Sequence, residues 1–436
     1  MTRTPPPPPT PVTRRSCARR SAALALAIAV PTGLAACSSG SSGADASGGT
    51  AKEITVFLIP SPTEDAIKAR IPEFEKSTGV AVKVVDAPYD DAHQKMLLSF
   101  QAGKGAYDVV QFYNPFLATF ASQNALTDLA PYTSASTAYD LNDFVKPLQE
   151  YDTYDGKSVA LNLSTEPFLL WYRKDIYAKL GLSVPTTWDE YLANATKIQA
   201  SGLASGQIMA NNASVVSWWW LQLLWSFGGD LQDSSGKVTV TSPAAVKATD
   251  YMRQLLAVSP KSAITATGDD ATTLFTTQDV GQMINYSGYY PVVTDTKSSK
   301  VINTFATASI PTADTKVTEL TGWNIGIPAD SKAKTTAWQF LEWLLSKENT
   351  PKLMDAGAAA IGRTSIVTDK AITSKEPYIA LLGPASENGR RLPALTSWGQ
   401  ASNQIGVAIQ DMLSGKTTTQ AGLAQLQDDL STTMGQ

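Results

Sequence analysis

Between residue 53 and about residue 129, short apolar runs alternate with segments whose apolar residues recur at helical spacing. Few architectures accept that alternation. "EITVFLI" (53–59) reads as a strand, and the segment after it carries Ile67, Ile71 and Phe74 at helical spacing before stopping at Gly79. Pro72 inside that segment predicts a kink or a late start, because proline cannot donate into the helical ladder. "VAVKVVD" (80–86) and "YDVVQFY" (107–113) read as two further strands, each followed by a helix, "DAHQKMLLSFQAG" and "FLATFASQNALTDL". The alternation predicts an α/β fold with a parallel sheet covered by helices on both faces. Such sheets bind ligands in the crevice beyond the carboxyl ends of their strands. Here those ends are "IPSPTE", "DAPYDD" and "QFYNPF".

The first fifty residues follow other rules. Arg14, Arg15, Arg19 and Arg20 precede "SAALALAIAV" (21–30), an apolar run too short to span a bilayer as a helix. "LAAC" (34–37) then places small residues before a cysteine. It resembles the lipobox of bacterial lipoproteins, which implies that residues 1–36 are a signal peptide and that Cys37 is lipidated as the first residue of the mature chain. The large apolar residue that a folded-protein export signal carries after its arginine pair is missing from "RRSCA", so both export routes stay open. "SSGSSGADASGGTA" (38–51) can bury nothing, and residues 37–52 are read as a flexible tether reaching on the order of 20 Å.

With Cys17 in the signal peptide and Cys37 as anchor, the folded part has no cysteine and no disulfide. Removing residues 1–36 takes away five arginines and no acid, so 35 basic against 39 acidic residues become 30 against 39, a net charge of about −9. A chain that acidic is a poor partner for nucleic acid. No other segment is long and apolar enough to cross a membrane, so the expectation is a soluble body, expected to be monomeric, tethered outside the cytoplasmic membrane. A hydrophobic content of 43% with 17% charged residues is that of a folded chain.

"SWWWLQLLWSFGGD" (217–230) puts three tryptophans in a row and a fourth five residues later. Wound at 100° per residue from Trp218, the residues Trp220, Leu223, Leu224 and Phe227 fall between roughly 140° and 240°, an apolar face that reads as core. Gln222 and Ser226 lie near roughly 40° and 80°, bracketed by Trp218 and Trp219 at about 0° and 100°. Two indoles therefore belong at the margin of the buried face, beside the polar side chains.

"FEKSTGVAVKV", "YDVVQFYNPFLATFASQNALTDLAPY", "LLWYRKDIYAKLGLSVPTTWDEYLANATKI", "FGGDLQDSSGKVTVTSPAAVKATDYM", "TGWNIGIPADSKAKTTAWQFLEWLLSKENT" and "AIGRTSIVTD" together resemble the extracellular solute-binding proteins of bacterial ABC importers, in the carbohydrate-binding branch that is maltose-binding-protein-like. The resemblance runs in order over essentially all of residues 53–430. It implies a two-lobed periplasmic-binding-protein-like fold with three hinge crossings, placed near Ser164, Pro311 and Gly362. Lobe one is then 53–163 with 312–362, and lobe two 164–311 with 363–436. Hinge closure around a ligand gives two shapes that a membrane partner can tell apart.

Enzyme chemistry finds little support. His93, the one histidine, falls on a helix and reads as surface or core. No G-x-S-x-G elbow and no phosphate-binding G-x-x-x-x-G-K-[ST] loop occurs, and cysteine-based metal ligation is excluded. "GDD" (268–270) reads as an acidic helix N-terminus ahead of "ATTLF" rather than a cation site. No catalytic residue, metal or cofactor is expected. A tethered glycoside hydrolase remains a distant alternative, since no spacing excludes two facing carboxylates.

A sugar offers apolar C–H faces and a rim of hydroxyls, so its site needs flat aromatics beside carboxylate, amide or guanidinium groups. The family resemblance implies ligand contacts at Glu166 on the first crossing, at Tyr289 (or Tyr290, should the register slip) in "MINYSGYYP", at Trp323 in "TGWNIGIP", at Arg363 on the third crossing and at Trp398 on the far side of the cleft. It also implies cleft aromatics about ten residues before the "FGGD" glycines, which lands on Trp218 and Trp219, the pair the helical wheel sets at the margin. Many members carry an aspartate after the third strand; here Tyr113 and Asn114 stand there, with Tyr89 able to compensate from the neighbouring strand end. Glu64 is a candidate second acid. The implied function is capture of an oligosaccharide or other sugar and its delivery to ABC permease subunits in the membrane. A polyamine, peptide or polyol phosphate is the alternative ligand.

Overall fold

The computed structural model describes residues 50–435. The signal peptide, Cys37 and nearly all of the tether lie outside the described residues. β1 (Glu53–Leu58), β2 (Ala81–Asp86) and β3 (Val109–Tyr113) come first, followed by a small hairpin of β4 (Thr153–Tyr154) and β5 (Lys157–Ser158) and then by β6 (Leu161–Asn162). β7 (Glu166–Arg173), β8 (Gln282–Tyr286), β9 (Phe305–Ser309) and β10 (Thr318–Thr321) form a second group, before β11 (Trp323–Gly326) and β12 (Gly389–Arg390). The first helix, Pro62–Thr78, starts on a Ser61 cap whose hydroxyl accepts the Glu64 N–H at 3.1 Å, and ends at Gly79 in the left-handed region (φ 73°). It begins at Pro62 and continues through Pro72, so the late start is not realised.

Two sheets result. One has the order β2-β1-β3-β11-β6, the other β12-β10-β7-β8 with β9 also on β7. The expected wholly parallel sheet is mixed. β1 runs parallel to β2 and β3, but β11 is antiparallel to β3 and to β6, because the chain re-enters this sheet from the second one. In the second sheet β7 is antiparallel to β8, β9 and β10.

The chain passes from the first sheet to the second at Ser164–Thr165, between β6 and β7. The expected return near Pro311 is corrected to Gly322: β10 pairs with β7 and β12 of the second sheet, and only β11 belongs to the first. Residues 312–321 therefore join the second half. Near the third passage the Thr165 N–H donates to the Ala360 carbonyl and the Gly362 N–H to Thr165 Oγ1, both at 3.0 Å. The helix Lys334–Leu344 packs Phe340, Leu341 and Leu344 into the first core, whereas Val216–Ser226, Trp398–Leu413 and Thr419–Thr433 share the core of the second. Among the described residues no helix is long and apolar enough to cross a membrane.

His93 is a core residue. Its Nε2 accepts the Tyr113 N–H at 3.2 Å and its ring stacks on Phe116 at 3.7 Å, so it holds the end of β3 while neutral. Burial pushes its pKa down to about 3 from 6.5. A lowered folded-state pKa contributes stability that is complete above the unfolded pKa and is lost as pH falls toward the folded one. Between pH 6.5 and 3, His93→Gln should lose melting temperature less steeply than the parent; parallel curves would refute the assignment.

At Gly322 any Cβ would lie 1.9 Å from the Ser164 carbonyl oxygen, a backbone atom that cannot step aside. Gly322→Ala should cost about 2 kcal/mol or more in denaturant unfolding, while Gly399→Ala, whose Cβ meets nothing nearer than Phe116 at 3.8 Å, should cost far less. Equal effects would show that the crossing is not tightly packed.

Candidate functional site

A cavity of about 410 Å³ opens beside the three passages and is walled from both sheets. Ile59–Thr63, Tyr89, Tyr113 and Trp323 come from the first half. Glu166, Trp218, Trp219, Asp269, Tyr286, Tyr289 and Thr321 come from the second. The first-half wall lies at strand ends: the loop after β1, the last residue of β3 and the first of β11.

The walls are aromatic. Tyr113 lies 5.1 Å from Trp218 and 5.4 Å from Trp323, ring centre to ring centre, and Tyr89 lies 6.1 Å from both Tyr113 and Trp323. The Tyr113–Trp218 pair spans the two halves, as does the 3.5 Å approach of the Tyr113 and Tyr286 hydroxyls. Every residue of the helix Val216–Ser226 is buried, so its polar edge does not face water. Gln222 Nε2 donates to Ser226 Oγ (3.0 Å) and to the Val317 carbonyl (3.1 Å), and its Oε1 accepts the Glu319 N–H at 2.5 Å. Trp219 is 1% exposed, packs on Phe168 at 4.7 Å and donates its indole N–H to the Ile284 carbonyl at 3.1 Å. It lines the cavity together with Trp218, which is 8% exposed and whose buried Nε1 has no protein partner. Trp220 is core, bonded to Thr249 Oγ1.

Glu166 Oε1 accepts from the Ser164 hydroxyl at 2.5 Å, and Ser164 Oγ in turn accepts the Trp323 N–H at 3.2 Å. Its carboxylate lies against Gly288, where any Cβ would come within 2.3 Å of Oε2. Though part of its surface opens on the cavity, the carboxyl is ringed by protein atoms. Burial raises its pKa to about 7, opposed by the Ser164 hydrogen bond. Tyr289 is held well above its usual pKa by burial and then by Asp269.

Four expected contacts lie elsewhere. Arg363 is fully buried and committed: it pairs with Asp143 at 3.2 Å, donates to the Tyr139 carbonyl at 2.7 Å and stacks over Phe144 at 4.1 Å. It ties the chain after the third passage to the first half and does not line the cavity. Trp398 is 2% exposed, in the core that also holds Trp220. Glu64 is buried at a helix start and paired with Lys68 at 2.6 Å, leaving its neighbours Ser61 and Thr63 to face the cavity. Asn114 spends its amide on the Tyr151 carbonyl (3.1 Å) and on Asn324 Oδ1 (2.7 Å).

Sequence reasoning missed Tyr286, Thr321, Asp269 and the buried Glu319. Tyr286 stands three residues before Tyr289 in a segment already singled out. "GDD" is indeed a helix N-terminus, with Thr267 and Asp270 forming a capping box, yet the adjacent Asp269 still faces the cavity. Glu319 and Thr321 alternate along β10, which the misplaced second crossing had assigned to the other half. Burial holds the Glu319 carboxyl well above the usual carboxylate range, the Tyr286 hydroxyl opposing it and Glu166 adding to it. Neither Glu319 carboxylate oxygen has a partner of full hydrogen-bond geometry.

Comparison with known proteins agrees with this two-lobed arrangement. A solute-binding protein from Agrobacterium radiobacter K84 in complex with ribitol is 26% identical, with a TM-score of 0.81 over 87% of this chain and 98% of its own. Maltose-bound T. maritima MalE3 is 25% identical, with a TM-score of 0.80 over 87% and 99%. A probable amino-acid ABC transporter periplasmic-binding protein of Sinorhizobium fredii is 25% identical over 70% of this chain and 71% of its own. The proteins of this kind bind solutes rather than transform them. Residues 60–351 match the profile of bacterial extracellular solute-binding proteins, and the chain belongs to that family.

Proposed function

We propose that the chain captures a sugar or polyol in the cavity between its two halves and delivers it to an ABC permease in the membrane. Trp218, Trp219, Tyr289, Tyr113, Tyr89 and Trp323 cover the ligand's C–H faces, and Glu166 receives its hydroxyls. The observation that carries this is the aromatic cavity itself, walled by rings from both halves and centred on the passages where the halves can rotate. Ribitol and maltose in the two similar structures support a hydroxyl-rich ligand. A volume of 410 Å³, low in the usual range of about 300–1,000 Å³, favours a small sugar or polyol over a long oligosaccharide. A polyol phosphate is disfavoured, since no lysine or arginine lines the cavity among the described residues.

A thermal-shift screen of sugars and polyols identifies the ligand, because one that binds the native state alone raises the melting temperature. With that ligand, Trp218→Ala and Glu166→Ala should each weaken calorimetric affinity by more than about tenfold. Arg363→Ala should instead act on stability, by about 3–5 kcal/mol, because it strands the buried Asp143 carboxylate. Unchanged affinity in both cleft variants would place the ligand elsewhere.

The proposal extends to anchoring: Cys37 carries a lipid, residues 1–36 are removed, and the monomeric body works at the outer face of the cytoplasmic membrane. The acidic "SSGSSGADASGGTA" tether, with no apolar residue larger than alanine, supports it. In a bacterial host fed radiolabelled palmitate, the parent should take up label and fractionate with membranes, and Cys37→Ser should do neither. Label in Cys37→Ser would overturn the assignment.

A further inference from the structure

The balance of charge in the cavity differs from that expected of the sequence. Arg363 and Glu64, a cation and an acid, are both absent from its walls, Asp269 is an added wall residue, and Glu319 is a buried acid behind them. Glu166 and Asp269 line the cavity, and Glu319 lies fully buried on β10, two residues before the lining Thr321, where its charge bears on Tyr113 and Tyr286. Against these three carboxyls no lysine, arginine or histidine lines the cavity among the described residues. Buried carboxyls without a counter-ion are costly when charged, and the two innermost show it: burial pushes Glu166 up to about 7 and holds Glu319 well above the usual carboxylate range.

The walls above these acids are rings whose faces attract cations. A cation within about 6 Å of such a ring gains further from being desolvated, and several rings together form the aromatic cages that hold substituted ammonium groups. Tyr113 packs against both Trp218 and Trp323, with centroids 5.1 and 5.4 Å apart, so the three rings form one continuous aromatic wall of the cavity. At the same place the Trp218 indole N–H is buried without an acceptor, which a ring or hydroxyl oxygen of the ligand would supply.

We infer that the natural ligand is a carbohydrate or polyol bearing a protonated amine, its ammonium group seated against the Tyr113, Trp218 and Trp323 wall beside the Glu166 carboxyl, with Glu319 buried behind. The ligand brings the positive charge that the protein leaves out. This rests on the carbohydrate reading and narrows it. The hydroxyl rim still meets Glu166, Thr321 and the tyrosine hydroxyls, while Asp269 at the cavity mouth draws the cation in. Glu319 acts through Tyr113 and Tyr286 and is a positioning residue.

The test is matched calorimetry at pH 7.5 and low salt. D-glucosamine is compared with D-glucose and N-acetyl-D-glucosamine, the β-1,4-linked glucosamine dimer with cellobiose and its diacetylated form, and 1-amino-1-deoxysorbitol with sorbitol. In at least one set the amine should bind about tenfold or more tighter than its neutral counterparts. That ratio should shrink at least about threefold in 0.5 M salt, and likewise in Asp269→Asn and Glu319→Gln, whose melting temperatures confirm folding. Asp269 is exposed, so its variant keeps the test sound even if Glu319→Gln folds poorly. Binding confined to neutral compounds, in these sets or in a wider panel, overturns the amine assignment and leaves the carbohydrate reading standing. Silence from every amine and every neutral sugar and polyol overturns both.

Discussion

Three strands of backbone meet within a few ångströms of Gly322, and that meeting governs the rest. Leu163 and Ser164 both donate to the Trp323 carbonyl, at 2.8 and 3.2 Å, Asn114 donates to the Gly322 carbonyl at 3.2 Å, and Thr165 donates to Ala360 at 3.0 Å. The passages thus satisfy one another's buried polar groups, as an interior location requires. Glycine at 322 is what lets two of them approach so closely, since the Ser164 carbonyl occupies the space of a side chain. A hinge built this way can absorb small rotations at a few residues while both halves stay intact.

The proposed binding acid is attached to that hinge. Through the Ser164 hydroxyl, Glu166 is linked by two hydrogen bonds to the first residue of β11, so an acid that lines the cavity also touches the point about which the halves turn. In the structure the halves already meet across the cavity, Tyr113 against Trp218 and Tyr286. A ligand inserted there separates ring contacts and replaces them with its own. Its intrinsic affinity is divided between making contacts and setting the population of the closed form.

Much of the fold was legible in the sequence because the first three strands and their helices follow hydrophobic periodicity closely. The second passage was not. In "VTELTGWN" the apolar residues are only Val317, Leu320 and Trp323, and periodicity cannot say that Thr321 belongs to one sheet and Trp323 to the other; pairing partners far along the chain decide that. The same blindness hid Glu319. For the site, positions were easier to reach than orientations. Glu166, Tyr289, Trp218, Trp219, Trp323, Tyr113 and Tyr89 line the cavity, whereas Glu64, Asn114 and Arg363 are near in sequence to lining residues but turned toward partners of their own, and Trp398 is packed in the core. An arginine's destination depends on which carboxylate lies within reach, and Asp143 is 220 residues away from Arg363.

The tryptophan-rich helix explains how the second half keeps its share of the site in register. Its polar edge, Gln222 with Ser226, is spent on Val317 and Glu319, locking the helix to β10 rather than to water. β10 carries Glu319 and Thr321, pairs with β7 beside Glu166, and runs into Gly322. The indole wall, the acidic floor and the hinge are therefore parts of one hydrogen-bonded piece, and rotation of the halves leaves their mutual geometry unchanged. The first half contributes Tyr89, Tyr113 and Trp323, which have no carboxylate of their own among the cavity walls. On the proposed reading, discrimination by charge resides in the second half, and the first acts as the aromatic face that closes on whatever the second has accepted.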